Sequence, residues 1–224
     1  MSAVRAMPLS RRLKILASRL GFQVRTRSRY YQYWSHLYRR IFFSTSQQLP
    51  VRTFQRVSDL AKILFDYSLG GWRADGPREL WDACSPPEYV EWVIQHGGPY
   101  LGDCDEFAIY AVATLNKSIR QRTISDVGLY LASFLTVVWI GADGAFEGHN
   151  VCLLTSKAPA GDLSYSYMDY GPPSTRRPHI VDVVRDVLAL YAPGGTCTGY
   201  AIQDEDLLPW DVRDGSEVPS TPVP

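Results

Sequence analysis

Gly-Asp-Cys-Asp-Glu-Phe-Ala, residues 102–108, is the stretch from which the rest of the chain can be read. A glycine, then an aspartate, then an acid three positions further on is the pattern of a helix N-cap with its capping box. The Asp103 carboxylate takes a backbone N–H of the first turn, and Glu106 reaches back to the Asp103 N–H. Cys104 then falls in the first turn of a helix running to about Lys117, with Phe107, Tyr110, Ala111 and Leu115 on its buried face. A thiol there meets backbone N–H groups and the positive end of the helix dipole, both of which favour the thiolate. The same N–H groups could hold the oxyanion of a tetrahedral intermediate. Asp103 and Asp105 oppose ionisation, so a reactive Cys104 needs a histidine partner. A lone helical cysteine is more often a small core residue, and Cys84, Cys152 and Cys197 are read that way.

Downstream of the helix come two β-type runs, around Val127–Ile140 and Asn150–Thr155, and then a third at Leu163–Tyr170. His149 opens the second with Gly-His-Asn-Val-Cys-Leu-Leu, and Asp169 closes the third with Tyr-Met-Asp-Tyr. Between them Lys-Ala-Pro-Ala-Gly-Asp, residues 157–162, is dense in turn formers. In a hairpin, facing residues have a constant sum, and 149 with 169 centres on residue 159, inside that turn. Direct pairing would put the two Cα atoms roughly 4.5–5.5 Å apart with both side chains on one face. A slip of one residue would destroy the arrangement. His149 would take the thiol proton and return it to the leaving group, while Asp169 orients the ring and stabilises the imidazolium.

Upstream, Val57–Ser68 has Leu60, Ile63, Leu64 and Tyr67 at helical spacing, followed by Gly70-Gly71, and Pro87–Gln95 reads as a second helix opened by proline. Ile180–Tyr191 is a late helix. Helices first and then a run of strands predict an α+β fold, not an alternating α/β one.

With these elements placed, the blocks at 102–108, 148–151 and 168–171 together resemble the transglutaminase-like superfamily of cysteine enzymes, in the manner of its bacterial and phage members. The lead-in is also similar: Trp81-Asp82, then Ser85-Pro86-Pro87-Glu88, then a helix running into Gly102-Asp103-Cys104. The likeness spans about Val57 to Tyr170. It implies a papain-like core in which a Cys-bearing helix packs on an antiparallel sheet carrying the His and Asp. Cys104 would be the nucleophile, His149 the general base and Asp169 the orienting acid of a cysteine peptidase, amidase or transglutaminase acting on a protein or peptide substrate. Members of that superfamily often add an upstream side chain as a second oxyanion donor, and Trp72, Trp81 and Gln95 are the candidates here. No cofactor or metal is expected; part of the superfamily uses calcium, but no EF-hand loop is present.

The net charge of zero hides an asymmetry. Residues 1–50 hold ten Lys/Arg and no acid, while residues 51–224 hold the other 13 together with all 23 Asp/Glu. The basic arm, residues 1–50, has a helix expected over Ser10–Leu20 and then an aromatic-basic cluster that includes Tyr30, Tyr31, Tyr33, Trp34, Arg39 and Arg40. It suits docking on the main domain, or an anionic partner such as nucleic acid or a membrane surface. The enzyme domain is assigned to residues 51–202. Residues 203–224, acidic and then Pro-rich, are expected to be a disordered tail. Four cysteines without a CxxC pair, no apolar leader segment and no run long enough for a comfortable membrane span indicate a soluble protein of a reducing, cytoplasmic compartment. The Arg- and Ser-rich start also has the composition of an organelle transit peptide.

Two other readings fit the residues. One is a catalytically inactive relative that binds, or builds a virion structure, through its basic arm. The other is a metal hydrolase using Asp103, Asp105, His149 and Asp169, which suffers from having one nearby histidine and two acids on different sides of a helix start.

Overall fold

β1 (Leu129–Ile140) is the spine of the molecule. Its mostly apolar sequence, interrupted only by Ser133 and Thr136 and with little alternation, suits a strand covered on both faces, and it takes the middle place in a five-stranded antiparallel sheet of order β3-β2-β1-β4-β5. The other strands are β2 (Phe146–Lys157), β3 (Leu163–Met168), β4 (Thr196–Gln203) and β5 (Pro209–Arg213). The helices are α1 (Leu9–Arg27), α2 (Val57–Gly71), α3 (Pro87–His96), α4 (Cys104–Arg120) and α5 (Ile180–Tyr191). This computed structural model describes residues 9–28, 37, 41, 48–71, 84–96, 103–126 and 128–219, with the side chains of 66–71 outside that description. The fold is α+β, as the order of helices and strands predicts. Among the described residues no helix is long and apolar enough to cross a membrane.

Strand alternation sends side chains to two cores. On one face Ala132, Phe134, Cys152, Leu154 and Met168 pack beneath α4, whose Phe107, Tyr110, Ala111 and Leu115 are buried. On the other face Leu135, Val137, Val151, Leu153, Tyr200 and Ile202 pack against Val183, Val184, Val187 and Leu188 of α5. Asn116 ties α4 to β1 by bonding both the N–H and the C=O of Ala132 at 2.9 Å. That residue lies just past the register shift between Leu129 and Leu131.

Under α3, Glu91 is fully buried. Both of its oxygens receive Arg52 Nη2, at 2.8 and 3.0 Å, and one also receives the Tyr110 hydroxyl at 2.5 Å. A buried carboxylate is tolerated only when it is paired and hydrogen-bonded in this way. The cluster locks the 48–56 segment, α3 and α4 together.

α1 runs beyond the Ser10–Leu20 expected and docks on β4 and β5 through Ile15 and Phe22. Phe22 lies over Gly199, where an added Cβ would come within 2.3 Å of its ring, so only glycine permits the contact. Polar bonds complete the seam: Ser18 Oγ to Thr198 Oγ1 at 2.7 Å, and Arg11 Nη2 to the Gly141 carbonyl at 3.2 Å. Tyr30, Tyr31, Tyr33, Trp34, Tyr38, Arg39 and Arg40 lie outside the described residues.

Two expectations need correction. The chain after Ile202 is not a disordered tail through its described length. β5 pairs with β4 from Tyr200↔Arg213 to Gln203↔Pro209, Val218 is buried, and Tyr200 donates to Glu217. An edge strand needs few apolar residues of its own when its backbone is paired, which is why composition was misleading here. The β2–β3 hairpin also has a different register. Cys152 faces Met168 and Leu154 faces Ser166, so facing residues sum to 320 and the turn centres on residue 160. His149 and Asp169 are therefore diagonal neighbours. A shift of two in the sum leaves them on the same face, whereas a shift of one would have separated them.

Candidate active site

The helix start that carries Cys104 is built as its sequence predicts. Asp103 is the N-cap, its Oδ1 accepts the Asp105 N–H at 3.0 Å, and the reciprocal capping box with Glu106 is complete. Glu106 accepts the Asp103 N–H at 3.1 Å with one oxygen and the Ser85 N–H at 2.9 Å with the other. The Cys84 thiol, meanwhile, points at the Asp105 carbonyl, 3.3 Å away. The buried Glu106 thus fastens residues 84–86 to the first turn of α4, and the position of Cys104 is fixed from both sides.

The environment of the thiol differs from the expectation. Cys104 Sγ donates to Asp105 Oδ1 at 3.4 Å, and Asn150 Nδ2 lies 3.9 Å from the sulfur while also donating to the Asp105 carboxylate. Burial pushes the thiol far above its usual range, and the negative charges of Asp105 and then Asp103 push it further. The bond from Asn150 acts the other way and is outweighed. Position at a helix N-terminus does not overcome desolvation flanked by two acids. The resting group is a thiol.

His149 is positioned by β2. It follows Gly148, where a Cβ would meet Val138 Cγ1 at 3.2 Å and the Val137 carbonyl at 3.3 Å, so a side chain before the histidine would crowd β1. The ring's Nε2 is 3.0 Å from Asp169 Oδ2, with the two side chains only 10% and 13% exposed. Tyr191, the last residue of α5, donates its hydroxyl to the same Asp169 oxygen and lays its ring 3.9 Å from the imidazole, centroid to centroid. The Tyr191 hydroxyl is itself pushed up, first by burial and then by the bond to Asp169. With Nε2–H donated to a carboxylate, Nδ1 carries the lone pair. Among the described residues Nδ1 makes no hydrogen bond.

The structure brings His149 and Asp169 together but does not close a triad. Among the described residues the Cys104 thiol and the His149 imidazole share no hydrogen bond. Alternation along β2 explains this: Asn150 projects toward α4 and the thiol, and His149 toward α5. Tyr170 spans the gap, edge-on to Phe107 of α4 at 4.7 Å and 6.5 Å from the His149 ring. Gln95 is no oxyanion donor as it stands, because its Nε2 is 2.6 Å from Glu91 Oε1 in the buried cluster. Trp72 and Trp81 lie outside the described residues.

Two residues beside the site were missed. Asn150 adjoins His149 in the quoted Gly-His-Asn-Val block, and strict alternation would have assigned it to the cysteine's side. Tyr191 had no signal beyond ending a helix. The donor atoms of Asp103, Cys104 and Asp105 lie within 4.8 Å of one another, but that group includes neither His149 nor Asp169, and its carboxylates already serve the cap and Asn150. Cys84, Cys152 and Cys197 are buried and form no disulfide, consistent with core roles.

Compared with known proteins, the chain matches no family model, and no curated protein matches it.

Proposed function

We propose that the chain is a cysteine-dependent acyl-transfer enzyme of the transglutaminase-like kind, built on a papain-like core, with Cys104 as nucleophile, His149 as general base and Asp169 as the residue that orients it. The observation that carries this reading is the 3.0 Å bond from His149 Nε2 to Asp169, which fixes the ring and leaves Nδ1 as a base. A buried histidine serving structure alone would have both nitrogens satisfied.

In the proposed cycle Nδ1 takes the Cys104 proton as sulfur attacks the carbonyl carbon of a peptide or side-chain amide. Imidazolium then passes that proton to the departing amine, and the acyl group remains as a Cys104 thioester. Water or a second amine, giving a proton to Nδ1, attacks the thioester carbon and breaks its C–S bond, and the released Cys104 sulfur takes that proton back from the imidazolium. The step needs Nδ1 within hydrogen-bond reach of Sγ, a contact that in many enzymes tightens only when substrate is bound. The oxyanion would take the backbone N–H of Cys104, since the N–H groups of Asp105 and Glu106 are spent on the Asp103 cap. Asn150 Nδ2, 3.9 Å from the sulfur, replaces Gln95 as the candidate second donor because it stands beside the thiol, and it would use the N–H that it does not give to Asp105. A reducing compartment suits such a thiol.

The test is a hydroxylamine-sensitive acyl adduct on Cys104 after incubation with denatured casein, with amide release or amine incorporation as the readout. Turnover by Cys104→Ala, or an adduct on another residue, would refute the reading.

A second reading is favoured by one observation: the thiol donates to Asp105 instead of His149. On it the chain is an inactive relative that binds, or assembles into a virion, through its basic N-terminal arm. Cys104→Ala would then keep its function, and deletion of residues 1–50 would remove it.

A further inference from the structure

α1 docks the wrong way round for a helix with its sequence. Leu9, Leu13, Leu16, Leu20 and Val24 recur at spacings of four, three, four and four, which is one continuous stripe on a helix. An amphipathic helix ordinarily turns such a stripe to the core. Here these five residues are 55–71% exposed, while the narrower side with Ile15, Ser18 and Phe22 faces β4 and β5. The stripe is about 22 Å long at 1.5 Å per residue. Exposed apolar patches of this extent mark an interaction surface.

Charge identifies the partner. Arg12 and Lys14 flank the stripe on its two sides, and Arg25 and Arg27 lie in the last turn, all four exposed. α1 contains no acid, and neither does any of residues 1–50. A symmetric pairing of α1 with α1 of a second copy would bring Arg12 and Lys14 of the two copies together, and α1 holds no acid to offset them. Nucleic acid would meet the cations but leave the leucines in water. An anionic bilayer surface satisfies both, with the leucines entering the acyl boundary and the cations meeting the headgroups.

We infer that α1 is an interfacial helix that holds the protein flat on an anionic lipid surface through Leu9, Leu13, Leu16, Leu20 and Val24. The inference does not depend on any chemistry at Cys104.

The test is flotation of the full chain with phosphatidylcholine vesicles containing 30% phosphatidylglycerol, beside vesicles of phosphatidylcholine alone. Binding is expected to the anionic vesicles, at least about tenfold weaker on the neutral ones, and to fall with added salt. Leu13→Asp with Leu20→Asp should abolish it while circular dichroism and Tm stay those of the wild type. Arg12→Glu and Lys14→Glu should each weaken it by roughly fivefold or more. No binding to the anionic vesicles, or binding unchanged in the Leu13/Leu20 variant, would overturn the proposal. So would a dimer in sedimentation that the same variant dissociates, since the stripe would then belong to a second copy.

Discussion

At one end of the candidate site the His149 ring is held by an Asp169 oxygen at 3.0 Å, and Tyr191 both lies against the ring and bonds the same oxygen. At the other end the Cys104 backbone is equally well fixed, by the Asp103 cap and the buried Glu106, yet its side chain is surrounded by groups that keep the proton on sulfur. The imidazole is oriented in advance, while the thiol is held in its protonated form. A thiol of this kind is not a stored thiolate. In the proposed reaction it has to be deprotonated, a task proposed for Nδ1. The contrast also shows that helix position and thiol reactivity are separable. The N-terminal turn of α4 supplies N–H groups, but burial and two neighbouring acids decide the charge state.

Four substitutions probe this contrast, beginning with the largest effect. Cys104→Ala should abolish acyl transfer while shifting Tm by no more than about 2 °C, since the side chain contributes only a weak S–H bond; parallel activity and thermal-melt measurements check both. Asp169→Asn should cost on the order of 10³-fold in kcat/KM, because an amide N–H facing Nε2 forces the proton onto Nδ1 and removes the base. Full activity in that variant would break the link between the two ends of the site.

Asp105→Asn sharpens the comparison from the thiol side. It removes a charge that raises the Cys104 pKa, so alkylation of Cys104 at pH 7 should quicken by about tenfold. The sign follows from the raised pKa: less neighbouring negative charge means more thiolate at a given pH. Tyr191→Phe should have the smallest effect, lowering kcat several-fold with KM little changed, since Asp169 keeps its bond to His149 but loses the hydroxyl that steadies it.

How much of this was legible in the sequence depended on whether local rules or long-range packing decided the outcome. The start of α4 follows from three residues, Asp103, Cys104 and Glu106, because a capping box is satisfied within one turn. The helix at Ile180–Tyr191 was readable from its apolar spacing alone. The β2–β3 register was nearly so, and missed by one residue in the turn centre. There the bonds from Ala158 N–H to the Asp162 carbonyl and from Gly161 N–H to the Ala158 carbonyl fix the loop. β4 and β5 were missed because their stability comes from neighbours: β4 is central and β5 gains its order by pairing. Gln95 was misplaced because its partner Glu91 belongs to a buried cluster whose other members, Arg52 and Tyr110, are distant in sequence. The raised pKa of Cys104 was foreseen only in part. The opposing acids are visible in the sequence, but desolvation, the larger cause, appears only once β2 has been folded over the helix start.

The central claim, that His149 serves Cys104, is tested most directly by the rate of iodoacetamide modification at pH 7, with the labelled residue located by mass spectrometry. In the wild type Cys104 should be labelled ahead of the buried Cys84, Cys152 and Cys197. In His149→Ala that labelling should slow by at least about tenfold and then rise about tenfold per pH unit from pH 7 to 9, as expected for a thiol without a base. Equal rates in the two proteins, or labelling of another cysteine while Cys104 stays silent, would contradict the account.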